Sequence, residues 1–398
     1  MELVNLSMRL RALTVFRDLL SDPVIEALCS YLDCMENAWP QGAISGYAEL
    51  VSRLYQTDGG DLGRHIRRVV MEHENVYIRT VGRGETPPDY MTRSVALELE
   101  TLQEAASLTP DRLRAGLDGV GYLPDFGAAP GDLVESYFRR TAEIGRYGYG
   151  VYAGHHMFCL DDDGRITAVG HPDPVRLEDL VGYERERGLV LDNLRALLAG
   201  RTAANMLLTG DAGTGKSSTV KAAANALRDE GLRLVEVRRD QLRRIPALLD
   251  ELSGNPLKFI LFIDDLSFRR DDDSFGALKA VLEGSVSARS GNVILCATSN
   301  RRHIVREKFS DREGDDVHRN DAMQETVSLS DRFGLHITFQ KPGKGDYLAI
   351  VRALARRWDV ECPDLDASAE RFALERGGRS PRAAKQFVER LAAEKPVE

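Results

Sequence analysis

The stretch Leu207-Leu208-Thr209-Gly210-Asp211-Ala212-Gly213-Thr214-Gly215-Lys216-Ser217-Ser218-Thr219 decides the fold of this chain. It fits the pattern G-x-x-x-x-G-K-[ST]. The apolar residues 206–208 that lead into it predict a buried strand, and residues 218–227 predict a helix. A phosphate-binding loop requires this order of strand, glycine-rich turn and helix, so the stretch predicts such a loop.

The chemistry of phosphate binding explains why these residue types are needed. Glycine permits positive φ, so that successive backbone N–H groups turn toward one anion. A helix start adds unpaired N–H groups and the positive end of the helix dipole. We expect the Lys216 ammonium to contact the β- and γ-phosphates and the Ser217 hydroxyl to ligate Mg²⁺. The expected phosphate-contacting residues are Gly210, Asp211, Ala212, Gly213, Thr214, Gly215, Lys216, Ser217 and Ser218.

Composition limits the classes of protein to consider. The 398 residues suffice for two or three domains, and 43% of them are hydrophobic and 29% charged. The net charge of -9 gives no electrostatic footprint for DNA binding. No apolar run reaches the ~18 residues of a membrane span, and we expect no secretory signal. The five cysteines form no C-x-x-C pair, so we expect a cytoplasmic protein with reduced thiols.

Residues 1–145 are predicted to form a mainly helical domain. Apolar residues recur at three- and four-residue spacing, and breakers such as Asp22-Pro23 and Pro87-Pro88 separate the helices. One predicted helix covers residues 62–78. No chemical motif occurs in this part of the sequence. The core of a helix bundle explains its amphipathic faces, and a surface for a protein partner is the alternative.

Residues 146–171 predict a β-hairpin that connects this domain to the rest of the chain. Two short apolar runs, 157–160 and 165–169, flank the turn Asp161-Asp162-Asp163-Gly164. Three histidines in this region lack the spacing of a zinc site, so we expect ordinary structural roles for them. They are His155, His156 and His171.

After a linker at Pro172-Asp173-Pro174, predicted strands alternate with predicted helices. Besides the strand before the phosphate loop, apolar strands are predicted at 232–237, 259–263, 293–298 and 335–339, with helices at 240–252 and 277–282. This alternation is typical of a parallel sheet covered by helices on both faces. We therefore expect an α/β core with a five-stranded parallel sheet at 172–342. A small helical lid is expected at 343–398.

Polar side chains follow two of these strands. The third strand runs directly into Asp264-Asp265, at the edge where ligands bind in open α/β sheets. We expect Asp264 to hold Mg²⁺ through water and Asp265 to orient or deprotonate an attacking water. The fourth strand ends in Thr298-Ser299-Asn300, and the Asn300 amide is expected to contact the γ-phosphate and that water. Solvated strand ends are the alternative.

Arginines complete the set of candidate residues. Arg332 precedes the fifth strand and is expected to stabilise charge on the transferring phosphoryl group, with a surface ion pair to Asp331 as the alternative. In the lid, Ser380 is predicted as a helix N-cap and Pro381 as the first helical residue. Arg382 would then lie in the first turn and contact the γ-phosphate. Arg379 is the competing choice for that contact.

The motifs now have a recognisable order. Residues 210–217, Asp264-Asp265, Asn300, Arg332 and Arg382 stand in the order of Walker A, Walker B, sensor 1, arginine finger and sensor 2, and the chain resembles the AAA+ ATPases. Residues 177–184, 215–221, 262–268 and 297–303 resemble a little-characterised family of bacterial AAA+ proteins, long filed as a domain of unknown function. That resemblance covers about residues 172–394.

The resemblance implies a P-loop αβα core with strand order 5-1-4-3-2, a helical lid, and Val181-Gly182-Tyr183 near the adenine of ATP. It also implies a Mg²⁺-dependent ATPase whose subunits assemble in a ring or open spiral and remodel or regulate a macromolecular partner. Arg332 of one subunit would complete the site of the next. The resemblance does not identify the partner, and binding through residues 1–145 stays the alternative named above for the helical domain.

One residue departs from the family pattern. Most AAA+ proteins have glutamate where Asp265 stands, and aspartate is one methylene shorter. An Asp-Asp pair resembles replication initiators and helicase loaders, so the alternative is a slow ATP switch that clamps DNA or a protein partner. A small-molecule kinase is a third hypothesis, which leaves Arg332 and the lid arginines unexplained. The charged segment 301–320 is either a solvated insertion or a contact for a neighbouring subunit or substrate.

Overall fold

The computed structural model describes residues 2–37, 39–115, 117, 121–266, 276, 278–279, 282, 291–300 and 332–393. The chain divides into two compact units, Met1–Gly154 and His155–Glu398. The predicted helix at 277–282 lies largely outside the described residues, and the segment 301–320 and Asp331 lie wholly outside them. A membrane-crossing helix is not found in the described part of the chain, where none combines the necessary length with enough apolar residues.

The first unit is mainly helical, as predicted. An apolar core, which includes Leu10, Tyr31, Tyr47 and Leu99, is buried among its helices. Their bounds are α1 (Glu2–Arg11), α2 (Pro23–Glu36), α3 (Pro40–Tyr55), α4 (Leu62–Glu72), α5 (Val76–Gly82), α6 (Asp89–Ala106), α7 (Pro110–Arg114), α8 (Leu133–Ala142), α9 (Ile144–Tyr147) and α10 (Val151–Gly154), with short 3-10 helices at Arg17–Ser21 and Asp58–Gly60.

Side-chain caps set the helix boundaries that the periodicity of apolar residues leaves open. The Asp22 carboxylate accepts the N–H groups of Val24 and Ile25 and so begins α2. The helix predicted over residues 62–78 is in fact two helices. The Asn75 side chain accepts the N–H of Ile78 and begins α5 anew, because an N-cap residue has non-helical backbone angles.

A seven-stranded sheet organises the second unit. Its strand order is β2-β1-β4-β5-β6-β3-β7. Among these strands only β1 and β2 pair antiparallel, and every other neighbouring pair is parallel. The strands are β1 (Met157–Leu160), β2 (Ile166–Ala168), β3 (Met206–Gly210), β4 (Leu232–Glu236), β5 (Lys258–Ile263), β6 (Val293–Ser299) and β7 (Leu335–Phe339).

The five predicted core strands stand in the order 5-1-4-3-2, which confirms the AAA+ fold that the resemblance implies. The hairpin predicted as a connector is also part of this sheet, because β1 pairs with β4. That pairing occupies backbone groups that an edge strand would leave open. The Gln241 side chain also donates to the carbonyls of Leu160 and Asp161 at 3.3 and 3.0 Å, and so ties down the hairpin turn.

Helices cover the sheet and form the lid. Helices α11 (Glu184–Leu198) and α12 (Lys216–Leu227) bury their apolar faces against the strands, and α13 (Ile245–Ser253) follows β4 after a 3-10 turn at Arg239–Arg244. The lid is formed by α14 (Lys344–Arg357), α15 (Leu365–Glu375) and α16 (Pro381–Ala393), which share a small core of their own around Tyr347, Phe372 and Phe387.

Candidate functional site

The turn after β3 has the backbone that its glycines were expected to provide. Gly210, Gly213 and Gly215 have φ values of 138°, 82° and 91°, a region that other residues rarely adopt. A Cβ atom at Gly210 would lie 2.0 Å from the Phe339 carbonyl oxygen, so no side chain fits there. Helix α12 begins directly after the last of these glycines, at Lys216.

Lys216 is buried in this turn, with 5% of its surface exposed. Its ammonium donates to the carbonyl oxygens of Gly210 and Asp211 at 2.7 and 2.9 Å, and to Asn300 Oδ1 at 2.9 Å. Burial lowers the pKa of Lys216, and the nearby carboxylates Asp211, Asp264 and Asp265 oppose that effect. The ammonium is therefore held at the mouth of the turn by three oxygen atoms.

The paired acids lie directly beside the glycine-rich turn. Ser217 Oγ donates to Asp264 Oδ1 at 2.6 Å. Asn300 Nδ2 donates to Asp265 Oδ1 at 2.7 Å, so the predicted sensor residue bridges Asp265 and Lys216. The three strands that carry these residues, β3, β6 and β5, are neighbours in the parallel sheet. The candidate site therefore gathers at one edge of the sheet.

A cavity of about 560 Å³ joins these groups to the lid. Its polar side is the glycine-rich turn with both acids, and its apolar side includes Ile350 and Leu354 of α14. The predicted residues that line it are Val181, Gly182, Tyr183, Ala212, Gly213, Thr214, Gly215, Lys216, Ser217, Ser218, Asp264, Asp265, Asn300 and Arg382. Gly210 and Asp211 line an adjoining cavity of about 460 Å³ together with Asn300.

The segment expected near the adenine is fixed in a tight turn. Gly182 and Tyr183 both have positive φ, at 84° and 59°. The Tyr183 hydroxyl donates to the Gln340 carbonyl at 2.6 Å, and burial raises the pKa of this tyrosine to about 12. The Arg187 guanidinium donates to the carbonyls of Leu177 and Leu180, which anchors the start of this segment.

The lid meets the turn through the backbone of Arg382. Its N–H donates to the Gly213 carbonyl at 3.1 Å. Ser380 Oγ accepts the N–H of Ala383 at 3.1 Å, and α16 begins at Pro381, as predicted. The competing Arg379 instead forms an ion pair with Glu370 of α15 at 2.7 Å. Of the two arginines, only Arg382 lines the cavity.

Arg332 is not brought to this site within its own chain. It precedes Leu335, which pairs with Met206 at the start of β3, whereas the glycine-rich turn begins at Gly210, where β3 ends. The strand between them spans about 13 Å at ~3.3 Å per residue. Arg332 therefore belongs to the opposite edge of the sheet.

Several lining residues escaped prediction, and Thr298 and Arg187 are two whose polar contacts shape the site. Thr298 contacts both acids, although the sequence signal marked only Asn300 two residues later. Arg187 lines the cavity and looked like an ordinary charged residue on a helix. The sequence pattern marks neither residue, because β6 is buried along its whole length and Arg187 is one of several charged residues at the start of α11.

Mg²⁺ fits the donor atoms that meet here. A hydroxyl and a carboxylate oxygen are hard ligands, and this ion commonly takes one or two carboxylates together with substrate phosphates. Within the described ranges, no group of three or more His, Cys, Asp or Glu side chains that could hold a metal ion occurs. His156, one of the three histidines of the hairpin region, instead forms a hydrogen bond between its Nε2 and Asn225 Oδ1 at 2.8 Å. Ser217 and Asp264 are therefore the candidate ligands.

Comparisons with known proteins place these features in a family. The model of a family described as "Protein of unknown function (DUF815)" matches residues 153–395, more than half of the chain. A search of curated proteins gave no match. Similar solved structures include the RuvB Holliday junction branch migration motor of Thermotoga maritima and a point mutant of it. Each is 20% identical with a TM-score of 0.37, and the alignment covers 55% of this chain and 64% of the RuvB chain.

Proposed function

The chain belongs to the DUF815 family, and we propose that it is a Mg²⁺-dependent ATPase that works as an oligomer on a macromolecular partner. The observation that carries this proposal is the 2.6 Å hydrogen bond from Ser217 Oγ to Asp264 Oδ1. It joins the helix that follows the phosphate loop to the turn with the paired acids at the end of β5. Nucleoside triphosphatases of the P-loop class need both parts within reach of one metal ion.

ATP would be held by the turn and by the lid. Backbone N–H groups of residues 211–218 would face the phosphates, and the Lys216 ammonium would exchange its present oxygen partners for phosphate oxygens. The segment 181–183 and the apolar residues Ile350 and Leu354 line the cavity and would contact the adenine. The cavity volume of about 560 Å³ is in the range of small-molecule sites.

Mg²⁺ would be held by Ser217 directly and by Asp264 through water. The Ser217 proton is already donated to Asp264, so the lone pairs of this hydroxyl are available to the ion. When bound, Mg²⁺ neutralises the charge of the β- and γ-phosphates.

Asp265 and Asn300 would act on the attacking water. The Asp265 carboxylate has the chemistry to orient the water or accept its proton, and the Asn300 amide holds that carboxylate at 2.7 Å. Arg382 lines the same cavity and would contact the γ-phosphate from the lid. The Arg379–Glu370 ion pair supports Arg382 over Arg379 for this contact.

Arg332 would act on the neighbouring subunit in a ring or open spiral. Its position at the amino end of β7 supports a role outside its own site. A protein partner is proposed to bind the first unit, Met1–Gly154. The net charge of -9 does not favour DNA as that partner.

A slow ATP switch is the second candidate function, and Asp265 supports it. Its side chain is one methylene shorter than that of glutamate. Its backbone has a φ of 51°, so an unusual turn fixes the position from which the carboxylate extends. A group displaced by one methylene from the water would hydrolyse ATP slowly, and the bound state would then persist as a signal.

Phosphate release by the full chain tests the proposal. We expect release from ATP with Mg²⁺ and none with excess EDTA. Steady turnover above ~0.1 s⁻¹, still below common enzyme rates, favours the remodelling ATPase, whereas a single slow turnover favours the switch. Absence of both ATP binding and phosphate release would refute the proposal. A phosphorylated metabolite in place of free phosphate would indicate a kinase.

A further inference from the structure

Thr298 is a buried hydroxyl residue near the end of β6, with 1% of its surface exposed. Its Oγ1 donates to Asp264 Oδ1 at 2.5 Å and accepts the backbone N–H of Asp265 at 2.9 Å. Its carbonyl oxygen accepts the N–H of Leu266 at 2.7 Å. One residue of β6 therefore contacts three successive residues of the turn that follows β5.

The direction of these hydrogen bonds is determined by chemistry. A backbone N–H only donates, and an ionised carboxylate only accepts. The threonine hydroxyl has one proton and two lone pairs, so its proton goes to Asp264 and a lone pair faces the N–H of Asp265. No other orientation of the hydroxyl satisfies both neighbours. A valine of nearly the same shape removes both contacts, and Asp264 Oδ1 then keeps only its bonds from Ser217 and from the N–H of Asp265.

The turn that Thr298 holds has a left-handed backbone at Asp265, which aspartate adopts more readily than most residues but still at a cost. Asp265 has a φ of 51°, in the left-handed region that residues other than glycine rarely adopt. The surrounding structure must impose such a backbone, because the residue alone does not favour it. Thr298 supplies that restraint at two points. Its hydroxyl oxygen accepts the N–H of Asp265, and its backbone carbonyl accepts the N–H of Leu266, the next residue.

We propose that Thr298 is a positioning residue that sets the directions of both acids at once. Through its hydroxyl, Asp264 faces Ser217, and the fixed turn aims Asp265 at Asn300. This inference rests on the proposed ATPase function of the same site. It assigns to β6 a second polar contribution besides Asn300. The two contributions differ, because Thr298 acts through its hydrogen bonds to the turn that carries the two acids, whereas Asn300 would contact the γ-phosphate and the water.

The substitution T298V removes the hydroxyl and keeps the shape, and T298S keeps the hydroxyl and removes the methyl group. In the full chain, T298V is expected to bind ATP in EDTA as the wild type does. Its kcat should fall at least about ten-fold, since the Asp264 carboxylate and the N–H of Asp265 each lose their hydrogen bond to Thr298. The tightening of ATP binding on adding Mg²⁺ should shrink, and the Mg²⁺ midpoint should rise. T298S is expected to retain most of the wild-type kcat and Mg²⁺ midpoint.

Several outcomes would overturn this inference. A T298V protein with the wild-type kcat and Mg²⁺ midpoint would do so, and so would a T298S protein impaired as much as T298V, since packing would then be the cause. T298A, which also lacks the hydroxyl, is made in parallel, so that the result does not depend on the folding of one variant. If the wild type binds ATP but does not hydrolyse it, the proposed function fails, while the Mg²⁺ effect on ATP affinity still tests Thr298.

Discussion

Lys216 uses all three of its ammonium protons on oxygen atoms within its own chain. Two acceptors are carbonyls of the glycine-rich turn, and the third is Asn300 Oδ1. An ammonium has three donor protons and no more, so a phosphate must replace existing acceptors to bind it. If a phosphate oxygen replaces Asn300 Oδ1 as an acceptor for Lys216, that amide oxygen becomes available to accept a hydrogen bond from the attacking water.

The substitution K216A is expected to weaken ATP binding by roughly 10- to 100-fold, because it removes charge-assisted hydrogen bonds to the phosphates. K221A on the same helix is the matched control. Lys221 lies 3.6 Å from Glu236 Oε2 and does not line the cavity. Titration with a fluorescent ATP analogue measures both affinities. Equal affinities of K216A and wild type would contradict the assignment of this lysine.

At the scale of elements, the lid and the glycine-rich turn contact each other through the backbone. The N–H of Arg382 in the first turn of α16 donates to the Gly213 carbonyl. A Cβ atom at Gly213 would lie 3.0 Å from the Arg382 Cβ and 3.3 Å from Ser380 Oγ. The glycine therefore serves two needs, its positive φ and the close approach of the lid.

We expect G213A to destabilise the second unit by about 1–3 kcal/mol, the usual cost of a left-handed backbone for a residue with a side chain. ATP affinity should fall as well, because the lid must move away. G188A in α11 is the control, since no atom lies within 4 Å of its Cβ position. It should stabilise the protein by roughly 0.5–1 kcal/mol. Urea unfolding measures the stability of both variants, and titration with the fluorescent ATP analogue measures their affinity for ATP. A G213A protein with the stability and the ATP affinity of the wild type would contradict this account of the lid contact.

The first unit contains a pH-dependent contact between elements. His65 of α4 is buried between Asp22 at 2.8 Å and Asp58 at 2.9 Å. Burial lowers the pKa of His65, but its hydrogen bonds to both carboxylates and the charge of Asp22 outweigh burial and the opposing charge of Arg68, so the pKa is raised. The pKa values of Asp22 and Asp58 are lowered, because their bonds to His65 and Arg68 outweigh burial.

These shifts predict a window of pH in which His65 stabilises the first unit. Its contribution is complete below the unfolded-state pKa of about 6.5 and is lost as pH rises through the raised folded-state value. The carboxylate contributions are lost only in acid, below about pH 4. The stability difference between wild type and H65Q should therefore be larger at pH 5.5 than at pH 8.5. The free energy of unfolding is measured with urea and followed by the fluorescence of Trp39, in a W358F background that removes the other tryptophan. A stability difference that does not change with pH would contradict the charged pairing.

The sequence predicts the elements that local patterns specify, and it leaves open the contacts that depend on long-range pairing. The strand, turn and helix around Lys216 follow from apolar runs and glycine spacing. The pairing of β1 with β4 joins residues 77 positions apart in the chain, such as Met157 and Leu234, and no local pattern encodes it. The choice between Arg379 and Arg382 needed the packing of α15, which supplies Glu370. Thr298 could be recognised only once the register of β5 and β6 was known.

At the scale of the whole molecule, the proposed chemistry is divided between one chain and its neighbour. The second unit brings the turn, both acids, Asn300 and Arg382 to one cavity. Arg332 belongs to the other edge of the same sheet. If Arg332 acts in hydrolysis, a second subunit must therefore supply it, and the isolated chain would be an incomplete enzyme.

Mixing two inactive variants tests this division. K216A and R332A proteins should each fail to hydrolyse ATP. Mixed oligomers should regain turnover, because a K216A subunit supplies Arg332 to a neighbour whose Lys216 is intact. Phosphate release measures the recovery, and cross-linking verifies that the two variants assemble together. No recovery in mixtures that do assemble would contradict a finger acting between subunits.

The substitution D265N tests the central claim, that paired acids beside the glycine-rich turn hydrolyse a bound triphosphate. The measurement is ATP binding and phosphate release by the same D265N protein, with D250N on the exposed face of α13 as the isosteric control. The account predicts wild-type affinity for ATP with phosphate release reduced at least about 100-fold, the usual size of general-base catalysis, and normal turnover in D250N. Normal turnover by D265N would contradict it.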